Sequence, residues 1–181
     1  MGTSAQALWV KSKICGGIDM IFVTVGNDFR NFNRLLEKID EIAHHIPNEI
    51  VIQRGYSDYQ PKNIKHFDFV PMDRAIEYIQ ESQLVVSHAG IGTIFLCKKY
   101  GTPLIIVPRR KKFGEHMNDH QLEVAKALER REDKNIYVVY EEDRLEEIVL
   151  KVLKEKARYI PAENVGRINL VRTIKEFLQT I

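Results

Sequence analysis

The stretch from Leu84 to Gly92, L-V-V-S-H-A-G-I-G, constrains the fold more than any other part of this chain. An apolar run, Leu84-Val85-Val86, stops at Ser87-His88, and glycines follow at Gly90 and Gly92. A good helical stretch, Thr93 to Tyr100, comes directly after. That succession predicts a buried strand, a tight turn and a helix N-terminus. In an open α/β sheet such a turn lies at the carboxyl end of a strand, where ligands bind. The first N–H groups of the helix have no internal partner and are available to an anion such as a diphosphate. The feature points to a phosphate-bearing ligand with a histidine at its edge.

The same alternation runs along the chain. Met20 to Val25 is a continuous apolar run ending in Gly26-Asn27, as expected of a buried strand and a loop. Asn33 to His45 carries a helical stripe through Leu35, Leu36, Ile39, Ile42 and Ala43. Glu49–Gln53 and His66–Val70 are short strand candidates, and Met72–Glu81 is a helix. Pro103–Pro108 predicts a further buried strand, Asn118–Arg131 a helix, Asn135–Tyr140 a strand, and Asp143–Lys156 a last helix with Asp143 as N-cap. Strands alternating with helices imply a parallel sheet with right-handed crossovers, a Rossmann-like α/β domain. Residues 20–160 form that domain in this reading. Residues 1–19 are expected to be an arm outside it, without the makings of a secretory leader, because Ala5–Val10 is short and Lys11 and Lys13 interrupt it. After Pro161, Val165–Leu178 presents an amphipathic face suited to packing on the domain or docking a partner.

At 181 residues, one domain is the natural expectation. A net charge of +2 is too small to argue for nucleic acid. No apolar run approaches the roughly 20 residues that span a bilayer. Two cysteines, Cys15 and Cys97, lie too far apart for a metal or redox motif and read as reduced thiols of a cytoplasmic protein.

Several residues are candidates for chemistry. Gly26 either lets backbone approach a ligand or simply ends a strand; no G-x-G-x-x-G or Walker pattern accompanies it. In the Ser87–Thr93 turn, hydroxyls of Ser87 and Thr93 and backbone at Gly90 and Gly92 suit an anion, and His88 suits a phosphate oxygen or sugar. The alternative is a close-packed strand–helix junction. Arg109-Arg110-Lys111-Lys112 leaves a strand at the ligand edge and suits a diphosphate, an acidic sugar or an anionic membrane; the alternative is a solvated loop. His116 and His120 are spaced for a metal only if the segment is helical, and a hydrolase built on them and His88 would bind zinc. No third ligand has recognisable spacing, and no metal is expected. Asn118, Asp119 and Gln121 suit sugar hydroxyls better.

S-H-A-G-I-G-T (Ser87–Thr93) with N-D-H-Q (Asn118–Gln121), and G-T-P-L-I-I-V-P between them, resembles the C-terminal domain of family 28 glycosyltransferases over about Met20 to Lys156. Stand-alone versions of that domain resemble it most. These are the small subunits of two-component exopolysaccharide and capsule glycosyltransferases, and the cytosolic subunit of the N-acetylglucosaminyltransferase that makes dolichol-diphosphate chitobiose.

The resemblance implies one half of a GT-B enzyme, binding a UDP-sugar and needing no further cofactor. It implies a membrane-associated partner that binds a lipid-linked acceptor, so that this chain sits at the inner membrane face through that partner. Self-association of the isolated chain stays open. On matching positions, Gly26 and Asn27 would lie near the donor phosphates or acceptor. Val70 or Met72 would read uracil through backbone groups. Ser87, His88, Gly90, Gly92 and Thr93 would form the diphosphate turn, with His88 catalytic and Arg109 or Arg110 assisting. Asn118, Asp119 and Gln121 would contact the transferred sugar. One position departs: where the family usually has a ribose-binding glutamate, this chain has Leu96. The function expected is transfer of a hexose to a polyprenyl-diphosphate-linked acceptor, the alternative being a non-catalytic accessory subunit.

Overall fold

Successive apolar runs become six strands: β1 (Met20–Thr24), β2 (Glu49–Gln53), β3 (Lys65–Phe67), β4 (Leu84–Ser87), β5 (Leu104–Ile106) and β6 (Ile136–Val138). Every pairing is parallel, and the order across the sheet is β3-β2-β1-β4-β5-β6. Among the described residues four α-helices lie between strands, α1 (Asn33–Ile42), α2 (Met72–Glu81), α3 (Ile91–Tyr100) and α4 (His120–Arg130), and a fifth, α5 (Leu145–Lys156), follows β6. This is a computed structural model, and it describes residues 19–156 apart from 132 and 134. The expected arm and the expected C-terminal helix lie outside the described residues.

Period-two alternation along the strands builds a core on each face of the sheet. Ile21, Val23, Ile52, Val86 and Ile105 face α1 and α5, packing on Leu35, Ile39, Val149 and Val152. Phe22, Val85, Leu104 and Ile106 face the other way, onto Ile79 of α2, Ile94 and Cys97 of α3, and Val124 and Leu128 of α4. Burial raises the Cys97 thiol, which removes it as a nucleophile.

The strand order reverses between β1 and β4, so the loops after these two strands diverge and open a crevice at the carboxyl edge. Both candidate loops, at Gly26 and at His88, border that crevice.

Element boundaries differ from expectation where end effects decide them. The strand expected at His66–Val70 is Lys65–Phe67, an edge strand paired only with β2. The helix expected from Thr93 starts at Ile91, which places Gly90 at the N-cap. Asp143 is not a cap: it lies inside a 3₁₀ turn, Glu142–Arg144, that precedes α5.

Candidate functional site

The centre of the site is a ring held between two backbones. A Cβ built on Gly26 would lie 2.3 Å from His88 Cε1, and one on Gly90 would lie 2.2 Å from His88 Nε2. Any side chain at either position would occupy the space of the imidazole. Gly26 also has φ +75, a conformation that L residues rarely adopt, and its N–H donates to Thr24 Oγ1 at 3.2 Å. Glycine after the first strand and glycine after S-H-A are therefore explained first by His88, and only then by approach to a ligand.

His88 is half-buried, and its Nδ1 lies 3.1 Å from the Oγ of fully buried Ser87. Burial pushes its pKa down from 6.5 to about 4, with the Arg109 cation adding to the shift; a hydrogen bond to Thr24 backbone and the Asp28 carboxylate oppose it. At neutral pH the ring is an uncharged imidazole, able to donate one hydrogen bond and accept one.

The start of α3 lies next to this ring. Gly90 is its N-cap and no side chain caps it, so the N–H groups of Ile91, Gly92 and Thr93 lack the usual i−4 partner. Gly92 is exposed, and a Cβ there would meet nothing within 4 Å. Together these give an exposed, electropositive helix start beside a neutral histidine.

Gln121, the second residue of α4, closes the floor. Its Oε1 accepts from the Ala89 N–H (3.2 Å) and the Arg109 N–H (3.0 Å), tying the turn after β4 to the segment after β5. Two donors on one atom identify it as the oxygen, so the amide nitrogen is the group left for a ligand. Gln121 is thus first a positioning residue. Asn118 and Asp119 are exposed, but each already supports its own loop. Asn118 Oδ1 accepts from the His120 N–H at 3.2 Å, and Asp119 Oδ1 accepts from the Lys111 N–H at 2.9 Å.

The two arginines correct the sequence reading. Arg109 is fully buried and spends its guanidinium on carbonyls. Nη1 donates to Arg30 (2.9 Å), Asn31 (3.3 Å) and Glu115 (3.0 Å), and Nη2 to Val25 (2.8 Å). Its plane lies over Phe32, and burial lowers its pKa to about 10. Arg110 is also buried, donating to the Tyr140 carbonyl and to Glu141 Oε1. Both guanidiniums are committed to partners within the protein. Arg109 acts on the site through its field, as a buried cation close enough to shift both His88 and Asp28.

Glu115 anchors the segment that follows the cationic run. It is buried and receives both Nε and Nη2 of Arg34 at 2.9 Å, while its Oε2 also takes the Arg110 N–H. Arg34 Nη1 reaches Glu142 at 2.8 Å, joining α1, the loop after β5 and the turn before α5.

His116 and His120 do not form a helical pair, because α4 begins only at His120. His116 Nδ1 engages Asn118, and its Nε2 lies 3.9 Å from Asp28. Asp28 was not singled out from sequence. Burial would raise its carboxyl, but the Arg30 N–H and the cations of Arg109 and Arg30 hold it below the usual carboxylate range. The only hint of it in sequence was its position after Gly26-Asn27. Asn27 is exposed beside it and accepts from Gln53 at 3.4 Å.

Val70 lies on the loop leading into α2 and Met72 is the first residue of that helix, beside an edge-to-face pair of Tyr56 and Phe69. The backbone N–H groups of both make no hydrogen bond among the described residues. Leu96 packs partly against the core of its face and offers no polar group.

The family described as glycosyltransferase family 28 C-terminal domain matches residues 20–177. The chain is 33% identical over 122 residues to the Homo sapiens protein named UDP-N-acetylglucosamine transferase subunit ALG13, covering 60% of this chain and 10% of that protein. It is 25% identical over 147 residues to the protein of the same name from Candida albicans, covering 73% and 48%. The chain therefore spans between a tenth and about half of the length of these relatives. Among solved structures, the glycotransferase of kitacinnamycin superposes with a TM-score of 0.56 at 16% identity, over 91% of this chain and 39% of that one.

Proposed function

This chain belongs to the glycosyltransferase family 28 C-terminal domain family, and from that premise we propose that it is the donor-binding subunit of a two-component, UDP-sugar-dependent glycosyltransferase. Its sheet is one half of a GT-B fold. The observation that carries the proposal is the uncapped start of α3 beside the His88 ring, at the switch point of the sheet. The names of the relatives, each a UDP-N-acetylglucosamine transferase subunit, support a UDP-sugar as donor and a partner subunit as the other half.

In the proposed reaction, a hydroxyl of a polyprenyl-diphosphate-linked acceptor attacks the anomeric carbon of the donor hexose. The bond from that carbon to the β-phosphate oxygen breaks, its electron pair leaves with UDP, and the acceptor hydroxyl's proton passes to a general base. This chain's part is to stabilise the charge growing on the diphosphate. The N–H groups of Ile91, Gly92 and Thr93 point their dipole at it, the His88 ring, its pKa raised by the diphosphate, donates to it, and buried Arg109 supplies a positive field from beneath. The free backbone of Val70 and Met72 suits a nucleobase edge, and the Gln121 amide with Asn118 suits sugar hydroxyls. The partner brings the acceptor to the membrane face where this chain docks.

Leu96 favours a second reading, an accessory subunit that steadies its partner without binding donor, because no carboxylate is offered to ribose from α3. Calorimetric titration of the chain with UDP, alongside His88→Ala, decides between them. Binding that His88→Ala weakens by about tenfold, the scale of one hydrogen bond to a charged group, supports donor binding. Absence of binding both alone and with the partner present supports the accessory role.

A further inference from the structure

The loops after β1 and β5 are stapled into one surface. Arg109 donates to the carbonyls of Arg30 and Glu115, Arg34 grips Glu115, and His116 faces Asp28. From that surface three large apolar side chains project into solvent: Phe29 at 70% exposure, Phe113 at 50% and Met117 at 67%. Soluble surfaces seldom leave such side chains grouped unless they bind something.

Most of the charge around them is taken up in ion pairs, and two lysines are left over. Asp28 pairs with Arg30, Glu115 and Glu142 pair with Arg34, and Glu141 pairs with Arg110. Asp119 accepts the backbone N–H of Lys111. Lys111 and Lys112 are exposed, and neither ammonium meets a carboxylate among the described residues; Lys112 lies over the Phe113 ring at 4.5 Å. The turn that carries them is already ordered, with the Phe113 N–H donating to Arg110 (3.2 Å) and the Gly114 N–H to Lys111 (2.9 Å).

We propose that Phe29, Phe113 and Met117, with Lys111 and Lys112, form a direct contact surface for an anionic lipid bilayer. Apolar side chains enter the headgroup boundary while lysines meet anionic headgroups, which is the chemistry of interfacial binding. A protein partner would need carboxylates placed opposite both lysines, whereas an anionic bilayer offers negative charge at every orientation. The preformed turn binds without a large ordering cost. The inference rests on the transferase reading for its purpose: a lipid-linked acceptor carries its diphosphate at headgroup level, and this surface adjoins the crevice.

The test is flotation of the full chain with vesicles of phosphatidylcholine alone, or of phosphatidylcholine mixed with phosphatidylglycerol. The expected result is binding to the mixed vesicles that falls as salt rises. Lys111→Glu with Lys112→Glu should weaken it about tenfold or more, and Phe113→Ser with Met117→Ser should weaken it at every salt concentration. Equal binding to both vesicles, no binding, or binding indifferent to both pairs of substitutions would overturn it. So would sedimentation showing a dimer that Phe113→Ser and Met117→Ser dissolve, which would assign the face to a second copy of the chain. UDP titration of the same samples keeps the two readings apart. Failure of the unsubstituted chain to bind mixed vesicles, with its UDP binding intact, removes the bilayer contact alone. Vesicle binding by a chain that never takes UDP removes the transferase reading and leaves the contact standing.

Discussion

An alanine methyl at Gly90 would lie 2.2 Å from His88 Nε2, yet the backbone there, at φ −83, accepts any residue. The conflict is thus with the imidazole and not with the chain path. Gly90→Ala should cost about 1–3 kcal/mol, the usual price of overpacking, and should displace the ring. Adding His88→Ala should recover most of that loss, because the methyl then fills vacated space. Urea unfolding of the wild type, both single variants and the double variant measures the coupling, and simple additivity would refute the clamp. The same ring makes stability depend on pH. The unfolded imidazole titrates near 6.5 and the folded one near 4, so between those values the unfolded chain binds more protons. Stability from this group is complete above pH 6.5 and drains away as pH falls towards 4, by up to about 3 kcal/mol. His88→Ala should flatten the slope of unfolding free energy between pH 7 and pH 5. A diphosphate would raise the His88 pKa, so UDP affinity should also strengthen as pH falls through that range.

Among the elements, the segment after β5 shows what was legible and what was not. Met20–Thr24, Glu49–Gln53 and Leu84–Ser87 were readable as strands because central parallel strands are apolar on both faces. Lys65–Phe67 was readable only loosely, since an edge strand is specified from one side. R-R-K-K has the look of a solvated run, and half of it is the reverse: Arg109 and Arg110 go inward, Lys111 and Lys112 outward. What draws the arginines in is distant in sequence, namely the carbonyls of Val25, Arg30 and Asn31 and, for Arg110, Tyr140 and Glu141. No local pattern carries that information. The glycines of the turn were legible as a backbone requirement, but the requirement is set by His88. Arg109→Lys cannot reach four carbonyls and should lose about 3 kcal/mol or more of stability, while Lys111→Ala should stay within about 0.5 kcal/mol. Thermal unfolding compares them. An Arg109→Lys variant as stable as wild type would mean that the guanidinium does not hold the loops together.

For the molecule as a whole, the strand order puts three independent loops on one edge: the Gly26 loop, the His88 turn with α3, and the loop that leads into α2. Neither the His88 turn nor the loop into α2 is completed by its own contacts. The start of α3 is uncapped, Val70 and Met72 keep free N–H groups, and the Gln121 amide nitrogen has no partner among the described residues. A ligand that bridges all three should therefore stabilise the entire fold rather than one loop. At a UDP concentration about 100-fold above its Kd, linkage predicts about 2.7 kcal/mol of added stability. For a chain of this size that is a rise in Tm of roughly 5–10 °C. The diphosphate turn predicts a particular order of ligands: UDP should raise Tm well above what uridine does, because uridine leaves the α3 N–H groups unanswered. Leu96 sharpens the comparison, since without a carboxylate from α3 the nucleoside is held mainly through its base, so uridine alone should bind weakly. A thermal shift in which uridine matches UDP would place recognition at the nucleoside rim and take the diphosphate away from His88 and α3.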